Sequence, residues 1–228
     1  MTRPMVGMFH HIHKAIGGEL LKLEEHARTV DPGNPESVAG FAGHFGMLGM
    51  IQDTHSHEEE SGLWPQIETR LAGITSGFLA DHETERSYTG EIKSALAELQ
   101  SGGADKQAAA QRLYRYAVAL SSHLTNHMVK EEALLYTPYA DVLTAAEEAR
   151  AIYEAYEGLP EEVVVQAMPW WASYQSPEDI IEEAETLLNA VRPEKARLII
   201  GTVIRSLPPE KWAAVEKLKP SLVEFRQA

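Results

Sequence analysis

Apolar residues recur every three or four positions through most of the chain, and no stretch alternates with the period of two that indicates a half-buried strand. This pattern predicts four long amphipathic helices, at roughly residues 6–28, 36–63, 76–100 and 105–136. The apolar stripes of these helices are Phe9, Ile12, Ile16, Leu20 and Leu23; Phe41, Leu48 and Ile51; Phe78, Leu79, Ile92, Leu96 and Leu99; and Leu113, Leu120, Leu124 and Leu134.

Proline and glycine mark the predicted ends of these helices. The segment DPGNPES follows the first helix, Trp64-Pro65 interrupts the second, Ser101-Gly102-Gly103 ends the third and Pro138 follows the fourth. Four long helices joined by short connections predict an all-α fold built on an up-down-up-down four-helix bundle.

Beyond Pro138 the pattern changes to shorter helical segments separated by prolines, namely Pro160, Pro169, Pro177, Pro193, Pro208 and Pro209. Ser176 followed by Pro177 and two acidic residues is typical of a helix start, and LPPEKW at 207–212 is a second candidate. We therefore predict a four-helix bundle domain at residues 1–139 and a small C-terminal helical appendage at residues 140–228.

Composition narrows the classes of partner. The chain has 228 residues, with 34 acidic and 20 basic side chains and a formal net charge of −14. An acidic surface repels phosphate, so neither nucleic acid nor an anionic membrane is expected as a partner. The absence of cysteine excludes disulfides and thiolate metal sites. No apolar run approaches the length of about 20 residues that a membrane helix needs, and no signal peptide is recognised, so we expect a cytoplasmic protein.

The ten histidines all lie between His10 and His127. Two of them belong to His-x3-Glu pairs, His55 with Glu59 and His127 with Glu131, and a spacing of four places both side chains on one helix face. In both helices this face continues the apolar stripe. The stripes of the first and third helices each carry one histidine as well, and these are His13 and His82.

Two glutamates buried at a bundle axis are expensive unless a positive charge meets them. A pair of metal ions removes the cost, because carboxylates can bridge two metals while imidazoles bind each metal terminally. Nitrogen and oxygen donors without sulfur suit iron or manganese, and zinc is a further possibility. The pattern therefore predicts a metal centre among the four helices.

Four segments resemble the hemerythrin-like, or HHE cation-binding, family. They are HKAIGGEL at 13–20, HSHEEESGLWP at 55–65, DHETE at 81–85 and HMVKEEALLYTP at 127–138. The resemblance implies a non-haem di-iron centre, with an oxo or hydroxo bridge, inside a four-helix bundle. It also implies terminal ligands at His13, His55, His82 and His127, and bridging carboxylates at Glu59 and Glu131.

The third helix departs from this family pattern. Hemerythrins that carry oxygen have a second histidine four residues after the first, and here that position is Arg86. The site then has either an additional open position or a substitute ligand. Candidates for the substitute are Glu85 and His123, although His123 fits a pocket residue or a hydrogen-bond partner of a ligand equally well. On the first helix, His10 is the alternative to His13.

The resemblance implies a di-iron protein that binds or reacts with O2, peroxide or a similar small ligand, and the additional open position favours reaction or sensing over carriage. Two alternatives stay open at this point. One is an iron or oxygen sensor or interaction protein that signals through the C-terminal helices. The other is a structural zinc or manganese bundle. The sequence does not decide whether the protein is an enzyme, a carrier or a sensor, nor whether it binds a protein partner.

Overall fold

A computed structural model describes residues 4–101 and 105–227 of the chain, and all the regular secondary structure in these ranges is helical. The α-helices are α1 (Pro4–Thr29), α2 (Pro35–Glu58), α3 (Trp64–Arg70), α4 (Ser76–Ser101), α5 (Lys106–Glu131), α6 (Thr137–Val142), α7 (Ala145–Glu157), α8 (Glu161–Tyr174), α9 (Pro177–Ala190), α10 (Pro193–Ser206), α11 (Pro209–Leu218) and α12 (Glu224–Gln227). The all-α prediction is confirmed. The predicted stop at Gly102-Gly103 lies outside the described residues.

Two π-helical turns replace the predicted breaks at Pro65 and Pro138. They span Glu59–Leu63 and Glu132–Tyr136, and the helical path continues through each of them into α3 and α6. Proline has no N–H and breaks the α-helical hydrogen-bond pattern, whereas a π turn widens the helix by about one residue and absorbs the mismatch. In the first turn, the N–H of Trp64 donates to the carbonyl of Glu59. The interruption predicted at Trp64-Pro65 thus takes the form of a π turn that ends at Leu63, directly before α3 begins at Trp64.

The chain divides into two compact units. One consists of residues 16–131, and the other combines the residues up to Ala15 with those from Glu132 onward. In the first unit, α4 packs along α5 and α2 packs against α4. Its fully buried side chains come from all four long helices and include Ile16, Leu20, Leu23, Phe41, Leu48, Ile92, Leu113 and Leu120.

Two residues of the predicted stripes are on the surface. Leu79 is 42% exposed, and the neighbouring Phe78 occupies the buried position instead. Leu134 is 59% exposed because it lies within the second π turn. The additional residue of such a turn rotates the following side chains relative to a regular α-helix. The α-helical period therefore no longer predicts which residues lie on the buried face.

In the second unit, the predicted helix start at Ser176 is confirmed. Its side chain and that of Asp179 form a reciprocal capping box around the first turn of α9. The start at LPPEKW is also confirmed, since α11 begins at Pro209. The prediction that Pro169 separates two helices was wrong, because this residue lies inside α8. The hydrogen bond that it removes would have involved the carbonyl of Val165, whose residue is half exposed and accessible to water.

The start of α1 packs into the C-terminal helices of this second unit. The ring of His11 hydrogen-bonds Glu183 at 3.0 Å, and Lys14 pairs with Asp179 at 2.5 Å. The amide of Gln175 donates to the carbonyl of His11 at 2.9 Å. These contacts bury His11, which is 3% exposed. Residues from both ends of the sequence thus form one core.

The Lys14–Asp179 pair makes this core sensitive to acid. Burial disfavours the charged carboxylate, but Lys14 and the cap of α9 lower the pKa of Asp179 to about 2. In the unfolded chain the pKa of an aspartate is near 4, so the ionised carboxylate stabilises the folded state at pH values above about 4. This stabilisation is lost as the pH falls through about 2. We expect Asp179→Asn to lower the free energy of unfolding at pH 6, by an amount that shrinks towards zero near pH 2. Urea titrations of the metal-free protein measure this difference.

The matched control is Glu178→Gln on the same turn of α9, which removes one carboxylate without the contact to Lys14. A stability difference between Asp179→Asn and the unsubstituted protein that stays constant from pH 6 to pH 2 would contradict the assignment.

Candidate metal centre

Five of the six residues predicted as principal ligands lie in the unit formed by residues 16–131. They are His55, Glu59, His82, His127 and Glu131. Four of these, all except His55, place one donor atom each within 4.8 Å of one another. The same four are at most 1% exposed. A closed group of two imidazoles and two carboxylates therefore lies in the interior.

The distances show which atoms face inward. The Nε2 atoms of His82 and His127 lie 3.0 Å apart. The Nε2 of His127 is 3.2 Å from Glu131, and that of His82 is 3.5 Å from Glu59. His55 adds an imidazole whose Nε2 is 3.2 Å from Glu59. Each His-x3-Glu pair thus lies on one helix face, as the spacing of four predicts.

A second layer of carboxylates holds the outer edge of two imidazoles. The Nδ1 of His82 donates to Glu60 at 2.6 Å, and the Nδ1 of His127 lies 3.3 Å from Asp81. Each carboxylate is in turn bound by a cation at the surface. Arg86 donates to Glu60 at 2.9 Å, and Lys130 donates to Asp81.

These outer hydrogen bonds determine which nitrogen of each imidazole can bind a metal. An imidazole that donates through Nδ1 carries a lone pair on Nε2 when it is neutral. When both rings are neutral, two such lone pairs meet two carboxylates in a buried site. Only a positive charge resolves this arrangement, and nitrogen and oxygen donors of this kind bind iron, manganese or zinc. The residues therefore fit a metal cation of the expected class.

The pKa values of His82 and His127 also indicate that the site favours a positive charge. Burial alone would lower the pKa of His82, but the carboxylates of Glu59 and Glu60 raise it to about 9. Burial lowers the pKa of His127, and the proton on His82 adds to that effect. In the metal-free protein a proton on His82 thus supplies the charge that a metal would supply.

Trp64 and Phe78 cover two of the imidazole rings. The Trp64 ring stacks on His82 with a centroid distance of 4.7 Å and an interplanar angle of 17°. Phe78 meets the ring of His127 edge-on at 6.0 Å. The π turn that starts at Glu59 brings Trp64 onto His82, because the wide turn changes the direction of the residues that follow it.

Neither candidate for the substitute ligand belongs to the converging group. Glu85 is 1% exposed, and its Oε1 lies 3.9 Å from the Nδ1 of His127, which is the outer edge of that ring. Its Oε2 accepts a hydrogen bond from Gln52 at 3.1 Å. His123 is partly exposed, and its Nε2 lies 3.2 Å from the carbonyl of Asp81. The structure thus places Glu85 at the outer edge of His127, and His123 beside Asp81, which contacts the same edge.

His13 and His10 belong to the other unit, where one carboxylate holds both. The Nδ1 of His13 is 2.9 Å from Glu132, and the Nδ1 of His10 is 3.0 Å from the second oxygen of Glu132. His13 is buried, whereas the side chain of His10 is 57% exposed. Burial opposes the charged form of Glu132, but the two imidazoles lower its pKa. His13 therefore has the same kind of outer carboxylate as His82 and His127.

Asp81 and Lys130 were not identified from the sequence. Asp81 directly precedes His82 on α4, yet it reaches the ring of His127 on α5. The only available signal was an acid next to a histidine, which is too common to be informative without knowledge of the helix pairing.

No helix among the described residues combines the length and the apolar character that crossing a lipid bilayer requires.

The comparisons with curated proteins found three zinc finger proteins of Arabidopsis thaliana. Two described as BRUTUS-like are 20% and 22% identical over 84% and 83% of this chain. The protein described as BRUTUS is 29% identical over 42% of this chain. The matched parts are 15%, 15% and 8% of those proteins, so the chain spans only a small fraction of their length. No solved structure matches.

The model of the Hemerythrin HHE cation binding domain matches residues 5–139, which is more than half of the chain. This range contains the converging imidazoles and carboxylates described above. The chain therefore belongs to the hemerythrin HHE cation-binding domain family.

Proposed function

We propose that this protein holds a non-haem di-iron centre that binds or reacts with O2, peroxide or a similar small ligand. The observation that carries the proposal is the convergence of the buried residues Glu59, His82, His127 and Glu131. The centre would occupy an up-down-up-down four-helix bundle within residues 1–139, and residues 140–228 would form a helical appendage. A bound iron pair would supply the redox equivalents.

In this proposal, Glu59 and Glu131 would hold both metals as bridging carboxylates, and the histidines at positions 13, 55, 82 and 127 would be terminal ligands. The contact of His55 with Glu59 and those of His82 and His127 with each other support three of the four terminal ligands. His13 is supported by the family segment HKAIGGEL and by its outer carboxylate, Glu132. Glu85 lies outside the converging group and is not counted among the ligands in this proposal.

The chain's own residues contribute orientation and exclusion of water. Glu60 and Asp81 fix the tautomer of His82 and His127, so that Nε2 of each ring faces the centre. Trp64 and Phe78 cover the rings and keep the local dielectric low, which strengthens the attraction between the carboxylates and a cation. Arg86 stands where the oxygen carriers have a histidine, and it holds Glu60 instead of binding a metal.

A second candidate function is a sensor in which the state of the metal reaches the C-terminal helices. The observation in its favour is that the start of α1, which carries His13, forms one core with residues from Glu132 onward. A metal bound by His13 would hold this segment in place.

The bridging assignment predicts that Glu59→Gln and Glu131→Gln each lose the metal pair, because a neutral amide neither compensates nor bridges two cations. We expect about two irons per chain in the unsubstituted protein and fewer than one in either variant. Metal analysis after anaerobic reconstitution with Fe2+ measures this content.

The control for this experiment is Glu83→Gln, an exposed carboxylate on α4. Two metals retained in both bridging variants would refute the assignment, and two zinc or manganese ions in the protein as purified would favour the structural alternative.

The outer carboxylate of His82 is a separate test of the site. Glu60→Ala leaves the Nδ1 of His82 without its acceptor, so the ring can rotate or change tautomer. We expect the affinity for Zn2+ to fall by about 10- to 100-fold, in line with other metal sites that lose such a partner. Competition with a chromophoric chelator measures the affinity. Glu58→Gln is the control, and equal affinities in all three proteins would remove Glu60 from the site.

The sensor candidate predicts that metal protects the C-terminal helices from proteolysis. Limited digestion of the protein with and without Fe2+, followed by mass spectrometry, locates the cleavage sites. We expect metal to slow the cleavages between residues 140 and 228 by about tenfold, because binding to the folded state shifts the opening equilibrium. Cleavage in this region at the same rate in both states would rule out the sensor.

A further inference from the structure

A cavity of about 220 Å³ opens beside α2 and α4 in the unit formed by residues 16–131, and its wall includes His82. The donor atoms of the candidate centre are themselves almost completely buried. A metal ion from solution therefore needs a passage through the protein. This cavity reaches from solvent to one of the proposed ligands.

The wall of the cavity is acidic. Asp53, Glu60 and Glu85 all contribute to it, together with the exposed imidazole of His57. Arg86 also lies in the wall, but its guanidinium donates to Glu60 and to Glu83, so its charge is balanced by two carboxylates. Acidic walls of low dielectric constant concentrate cations and repel anions. Carboxylate oxygens are also ligands that hard divalent cations prefer.

Glu85 is a buried carboxylate in the wall of this cavity. Its side chain is 1% exposed, and its Oε1 has no hydrogen-bond partner, although Oε2 accepts from Gln52. A buried oxygen without a partner costs free energy and calls for a physical reason. Glu85 lines the cavity on one side and lies 3.9 Å from His127 on the other. Glu85 thus connects the cavity with the ring of His127.

We propose that this cavity is the port through which a divalent cation enters the protein, and that Glu85 is the first buried residue to bind it. The proposal rests on the proposed metal centre and adds the route by which that centre is filled. The step is an exchange of ligands without redox change. Water leaves the hydrated cation, the carboxylate of Glu85 takes its place, and the cation then passes to the inner donors.

The test measures the rate of uptake of Co2+ by the metal-free full chain, followed by the visible absorption of the bound ion. Thr89 lines the cavity, and Thr89→Trp fills it without changing any charge. We expect this plug to slow uptake by about tenfold or more while the final cobalt content stays unchanged, because access is lost but the ligands are kept. Ser94→Trp, on an exposed position of α4, is the matched control.

Charge is tested at the outer end of the port. Asp53 is exposed, so Asp53→Lys is expected to fold normally even if Thr89→Trp does not. Reversing this charge should slow uptake by about three- to tenfold at low salt, and the difference should shrink at high salt because charges at the surface are screened. Glu91→Lys on α4, outside the cavity wall, is the control.

Glu85→Gln completes the design. The port predicts slower uptake with the same final cobalt content. A lower content at an unchanged rate would make Glu85 a permanent ligand and overturn its role in transit. Unchanged rates in Asp53→Lys and in a folded Thr89→Trp would overturn the port itself. Failure of the unsubstituted protein to bind Co2+ would instead count against the proposed centre.

Discussion

Repulsion between buried donor groups is the constraint on which the rest of this structure depends. Two carboxylates and two imidazoles meet in the interior, and such a group is unstable without a positive charge. In the metal-free protein, the raised pKa of His82 shows that a proton meets part of this need. The long helices, the aromatic cover and the outer carboxylates all hold the donors in place against that repulsion.

Positive and negative side chains alternate outward from this group in two separate series of contacts. Arg86, Glu60 and His82 form one, and Lys130, Asp81 and His127 form the other. In each, a cation at the surface holds a carboxylate, which holds an imidazole. The carboxylates remain ionised because the cations and imidazoles lower their pKa despite partial burial. The arrangement keeps the interior ready for a cation without exposing it.

The sequence was a good guide wherever local geometry decides the outcome. A spacing of four on a helix places His127 and Glu131 on one face whatever surrounds them, and the apolar period defines the long helices. The same reasoning could not predict that Leu134 is exposed, nor which residues Asp81 and Glu85 contact. These features depend on a π turn and on the pairing of α4 with α5, and both are set by packing between segments that are distant in the sequence.

The two π turns also affect how this chain is aligned with its relatives. Each turn holds about one residue more than an α-helix between the same end points. A relative without that residue would carry the following aromatic-proline segment rotated by about 100° around the helix axis. At identities near 20%, a single gap shifted by one position past Glu59 would misassign Trp64, the ring that stacks on His82. Alignments of such chains should therefore be anchored separately on the two sides of each glutamate.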